Sequence, residues 1–138
     1  MWVRLIARTV YVLSGVLLLA IGTGVYFART GMLPGAAQAF LDEATRGDAL
    51  TLHVAQEFGS FVVFAGLACL WCAGRYEQSG PLHAGMTVAW GLFALAHWVD
   101  VRGPNPSVAG PLINTVPFAL FVVVGALRLA AGRGAEKG

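Results

Sequence analysis

Four long apolar stretches, parted by short segments rich in Gly, Pro and charge, dominate the chain. A helix needs roughly 20 mostly apolar residues to cross the hydrocarbon of a bilayer, and each stretch predicts one. The first predicted span covers about 9–28, with Arg4 and Arg8 before it and Arg29 and the breaker run Gly31–Gly35 after it. The second covers about 49–73, and Asp48 is placed to accept from the free amides of its first turn. The third covers about 82–101, opens near Pro81 and is stopped by Gly103, Pro104 and Pro106. The fourth covers about 112–131, with Gly132 as its expected C-cap. The connections Gly74–Gly80 and Arg102–Pro111 are short, whereas Arg29–Asp48 is longer. That longer connection carries a predicted short helix over Ala36–Ala44, with Phe40 and Leu41 suited to the membrane interface. The expected fold is an all-α integral membrane protein. Residues 1–138 form a single transmembrane domain, a four-helix up-down-up-down bundle with a short extracytoplasmic helix between the first two spans.

Composition supports this reading. Hydrophobic residues make up 57% of the 138-residue chain and charged residues 12%, against about 25% charge in an ordinary soluble domain. A soluble fold this small has too much surface for so few charges to cover. The net charge of +2 and the scattered Lys and Arg give no nucleic-acid signal. The first apolar run, at about 18 residues, is too long for a signal-peptide core, and the cleavage-like Ala37-Gln38-Ala39 lies well beyond it. It reads as an uncleaved helix. Arg4, Arg8, Arg75, Arg128, Arg133 and Lys137 fall on one predicted side; Arg29, Arg46 and Arg102 fall on the other. The richer side is normally cytoplasmic. Both termini are therefore expected in the cytoplasm, as in a multi-pass protein of a bacterial inner membrane.

The spans contain ionisable residues whose spacing is informative. His53 and Glu57 are four apart near the start of the second span; His97 and Asp100 are three apart near the end of the third. Each spacing puts both side chains on one helix face. In antiparallel neighbours all four fall at similar depth near the outer side. Uncompensated charge in a bilayer costs a few kcal/mol or more, so the four are expected to turn inward and meet. Trp90, Phe93, Trp98 and Phe118 would wall such a pocket, with Tyr26 and Asn114 entering at the same depth.

Several chemistries suit this set. A structural reading has the four residues hydrogen-bonding between helices and setting register. A metal reading has His53, Glu57, His97 and Asp100 around a single divalent ion of zinc, manganese or iron; a binuclear site would want six ligands. An acid–base reading has Glu57 and His53 sharing a proton, with Asp100 and His97 opposite, acting on a lipophilic substrate. Haem ligation by His53 and His97 is disfavoured by the neighbouring acids. The His-x-x-x-Glu of His53 and Glu57 resembles that of membrane sterol isomerases of the emopamil-binding type. It covers those two positions of a shorter chain, and no activity is carried over from it.

Other features read as architecture. Cys69-Leu70-Trp71-Cys72 superficially resembles the redox pair of quinone-linked disulfide oxidoreductases and vitamin K epoxide reductases. Those families carry a second, relaying pair, and the two cysteines here are the chain's total. They read as small residues at a helix contact. Gly15, Gly22, Gly59, Gly66, Gly85 and Gly91 read as close-approach positions. Trp2, Tyr26, Trp71, Tyr76 and Trp98 read as interface anchors, and His83 as solvated. The functional expectation is a small membrane enzyme acting on a lipophilic or amphipathic molecule through the His/Glu/Asp set. The rival is an accessory or assembly subunit that meets a membrane partner or a second copy of itself. An ion pathway is disfavoured, since no polar residue continues it past Ser60.

Overall fold

The structure, a computed structural model, describes residues 2–27, 35, 39, 49–100 and 109–135. Helix α1 runs Trp2–Tyr26, α2 Ala49–Gly74, α3 Gly80–Asp100 and α4 Ala109–Ala135, and a 3-10 turn, Tyr76–Gln78, joins α2 to α3. All four helices are long and apolar enough to cross a membrane, over Trp2–Tyr26, His53–Gly74, Gly80–Val99 and Asn114–Gly132. Among the described residues there is no strand. Apart from Ala39, the predicted helix at 36–44 lies outside the described residues, as do the cap at Asp48 and the 101–108 connection.

Two helix ends differ from expectation. Helix α1 starts at Trp2, before the apolar run begins. Arg is a good helix former, and nothing breaks the chain between Arg4 and Thr9, so the helix extends past its apolar part. Helix α4 continues through Gly132 to Ala135, so Gly132 is not a cap. One glycine costs a helix only about 1 kcal/mol relative to alanine, and the flanking Ala130 and Ala131 are favourable. Pro117 lies inside α4 and cannot donate back to Ile113; neighbouring groups in membrane helices commonly re-satisfy such a carbonyl.

The chain divides into two compact units, Val12–Leu70 and Met1–Tyr11 with Trp71–Gly138. In the first unit, glycines bring the backbones of α1 and α2 into contact. A Cβ on Gly22 would stand 2.7 Å from both Gly59 O and Val63 N; one on Gly66 would stand 2.9 Å from Gly15 O. The two pairs are seven residues apart on each helix, two turns, so they recur on one face. Four of the expected close-approach glycines thus act as such. In the second unit α3 packs on α4, with Met86, Trp90, Ala94, Phe121 and Val124 buried. Gly91 admits the ring of Phe118, which a Cβ would approach to 3.0 Å, whereas Gly85 faces open space.

The outward surface is apolar: Val16, Leu17, Ile21, Val88, Leu92, Leu95 and Val123 are all exposed. A water-soluble monomer rarely exposes so many large apolar side chains in each of its units. Such a surface is what lipid tails solvate.

Candidate functional site at the start of the second span

The groove is built where α1 ends and α2 begins, within Val12–Leu70. The last carbonyls of a helix lack intrahelical donors. Gln56 supplies one, its Nε2 donating to Tyr26 O at 3.2 Å, and Ser60 Oγ donates to Gln56 O at 3.2 Å. One turn apart on α2, His53 Nε2 and Glu57 Oε1 are 3.3 Å apart, and their side chains are 67% and 68% exposed. The rings of Tyr26 and Phe27 meet edge to face at 5.2 Å between centroids. Tyr26, Phe27, His53, Gln56, Glu57 and Ser60 line a groove of about 380 Å³. A second hollow, about 310 Å³, continues from it along Thr23, Tyr26, Phe27, Ser60 and Val63. With a rise of 1.5 Å per residue, Val63 lies about 15 Å along the helix from His53. The two hollows share Tyr26, Phe27 and Ser60; the first adds the polar side chains His53, Gln56 and Glu57, and the second adds Thr23 and Val63.

The other expected site residues belong to the second unit. His97 is half-buried, and its Nδ1–H donates to Phe93 O of the preceding turn at 2.8 Å, which fixes that proton and leaves Nε2 as the other ring nitrogen. Trp98 is 44% exposed, and its Nε1 donates to Thr115 Oγ1 at 2.9 Å, while Thr115 donates on to Pro111 O at 2.7 Å. Trp90 is buried beside Phe93, ring centroids 6.0 Å apart. Asn114 is buried, and Phe118 lies against Gly91. The side chain of Asp100 lies outside the described residues. Among the described residues, no group of three or more His, Cys, Asp and Glu is placed to hold a metal ion. Comparison with protein-family models, with curated proteins and with solved structures returns no match.

The structure also contains a polar cluster that sequence reading misplaced. His83 is buried rather than solvated, and its Nδ1 and the Tyr11 hydroxyl share a 2.7 Å hydrogen bond. Tyr76 is buried rather than an interface anchor. Its ring meets Tyr11 edge-on at 6.5 Å and carries the Arg128 guanidinium 4.4 Å above its centroid. Arg128 Nη2 donates to Tyr76 O at 2.7 Å, and Nη1 donates to Ser79 Oγ at 3.0 Å. Ser79 Oγ in turn donates to Tyr76 O at 2.9 Å. Burial pushes the Tyr76 hydroxyl above its ordinary range, against the opposing pull of the Arg128 guanidinium. The turn between α2 and α3 is thus clamped to the far end of α4. The overlooked signal was spacing: Arg4, Arg8 and Tyr11 recur at i, i+4 and i+7 on one face of α1. Arg4 reaches Glu77 at 3.0 Å.

Tyr11→Phe keeps the ring and removes the hydroxyl that His83 meets. An orphaned buried nitrogen costs about 1–3 kcal/mol. Chemical unfolding of the variant in detergent should show a loss of that size. A loss under about 0.3 kcal/mol would mean His83 finds another partner, since that is far below the cost of an unmet buried group.

Proposed function

We propose that this multi-pass membrane protein takes an amphipathic, lipid-like small molecule into the groove between Tyr26 and Val63. The observation that carries the reading is the graded lining. His53, Gln56 and Glu57 line only the first hollow, while Thr23 and Val63 line only the second. A molecule with one polar end and one apolar tail matches that gradient. At 3.3 Å apart, His53 and Glu57 can share a proton, so the pair is placed to give one to, or take one from, the polar end of the bound molecule. In this reading the mouth faces the outer side of the membrane, with up-and-down helices and both termini in the cytoplasm, an orientation that the Lys and Arg asymmetry supports.

The exposure of His53 and Glu57 supports a second reading, in which a polar group of a partner protein covers the pair and the chain serves as an accessory subunit. Photo-crosslinking in native membranes separates the two. A photoreactive residue replacing Ser60, which lines both hollows, should give a low-mass adduct under the ligand reading. Ser60→Trp, which fills the groove, should cut the small molecule that co-purifies in mild detergent by about tenfold, the loss of about 1.4 kcal/mol of binding. Adducts to another polypeptide alone would replace the ligand reading with the subunit reading.

A further inference from the structure

Resting on the groove reading, we infer that the polar end of the bound molecule is a cationic ammonium group, recognised by Glu57 and the Tyr26–Phe27 pair. The inference comes from counting donors and acceptors at the mouth. Among the described residues that line the mouth, the one fixed charge is the Glu57 carboxylate, and none is Lys or Arg. One amide N–H of Gln56 is given to Tyr26 O, which leaves its oxygen to accept and one N–H to donate. The hydroxyl proton of Ser60 is given to Gln56 O, which leaves its lone pairs to accept. The Glu57 carboxylate meets His53 through Oε1, and a carboxylate has about four acceptor positions in all. The donors that remain are the Tyr26 hydroxyl and the second N–H of Gln56; with its Nε2–H directed at Glu57, the neutral His53 ring accepts through Nδ1. Acceptors and negative charge thus outnumber donors.

An ammonium group supplies what this mouth lacks. It carries up to three N–H donors and positive charge, and it is attracted to the faces of aromatic rings. Tyr26 and Phe27, with ring centroids 5.2 Å apart and planes near right angles, line the same hollow as Glu57. A single alkyl chain on that ammonium would lie along Thr23 and Val63.

The test uses the full-length protein in a nonionic maltoside detergent. Three probes of equal chain length are compared: hexadecylamine, hexadecanol and hexadecyl phosphate. Bound probe per protein is measured across a titration. The amine should bind about tenfold more tightly than the alcohol, and the phosphate more weakly than the alcohol. Glu57→Gln, which keeps shape at an exposed position, should abolish the amine's tenfold preference over the alcohol. A phosphate that binds as well as the amine would overturn the ammonium assignment while leaving the groove reading standing. So would an amine preference that survives Glu57→Gln. Failure of all three probes to bind the wild-type protein would overturn both.

Discussion

Gly22→Ala should unfold the protein at markedly lower denaturant than wild type. The added methyl would stand 2.7 Å from Gly59 O and Val63 N and 2.9 Å from the Val63 side chain. Two of those three atoms are backbone, which cannot rotate away as a side-chain tip can. The helices must separate, and separation loosens the reciprocal contact of Gly15 with Gly66 two turns away. Forcing a methyl into a well-packed contact costs about 1–3 kcal/mol, and this site has little freedom to yield, so the upper part of that range is expected. Gly22→Leu should prevent stable folding. Gly85→Ala is the control, because nothing lies within 4 Å of a Cβ there; it should be neutral or stabilising by up to about 1 kcal/mol through helix propensity. The comparison is read by unfolding in a denaturing detergent mixture. Equal effects at Gly22 and Gly85 would refute the close backbone approach. Since the groove lies beside this contact on the same two helices, Gly22→Ala should also weaken retention of the bound amphiphile.

Removal of Arg128 should have a similar cost for a different reason. Its guanidinium donates to Tyr76 O and Ser79 Oγ and covers the Tyr76 ring. Arg128→Met keeps much of the stem volume but takes away both charge-assisted bonds and the ring contact. Hydrogen bonds to a charged group contribute about 1.5–3 kcal/mol and cation–π contacts about 0.5–2 kcal/mol. These share one side chain and do not add fully, so the expected loss is about 2–4 kcal/mol. Arg128→Lys should recover less than half, because one ammonium cannot reach two acceptors and lie flat on a ring as a planar fork does. Arg4→Ala is the contrasting case. Its ion pair with Glu77 joins side chains that are 46% and 67% exposed, and such a pair contributes at most about 1 kcal/mol. Were Arg128→Met no worse than Arg4→Ala, the clamp on the 76–79 turn would carry no weight.

The two cases differ in how far the sequence announced them. Gly15, Gly22, Gly59 and Gly66 were legible as small residues in apolar runs, although the pairing of Gly22 with Gly59 was not. In the sequence Arg128 is one of six cationic residues on the richer side. Nothing local separates an arginine that faces headgroups from one that clamps a turn 52 positions away. His83 and Tyr76 were misplaced for the same reason, since both stand next to a polar turn and look solvated or interfacial there.

By itself the sequence determined the number of spans and the local pairing of side chains. Run length against bilayer thickness decides the first, and helical spacing decides the second, as the 3.3 Å approach of His53 and Glu57 shows. Both depend only on residues close together in the chain. The rotation of each helix was left to the tertiary structure. In a soluble helix an apolar stripe marks the buried face. In α2 the residues are apolar nearly all the way round, and lipid is as apolar as a neighbouring helix, so hydrophobicity does not choose between them. What chose was close packing at glycines and the need of buried polar groups for partners. Those requirements set Tyr11 against His83, laid Arg128 over Tyr76 and left His53 and Glu57 open at the mouth of a groove.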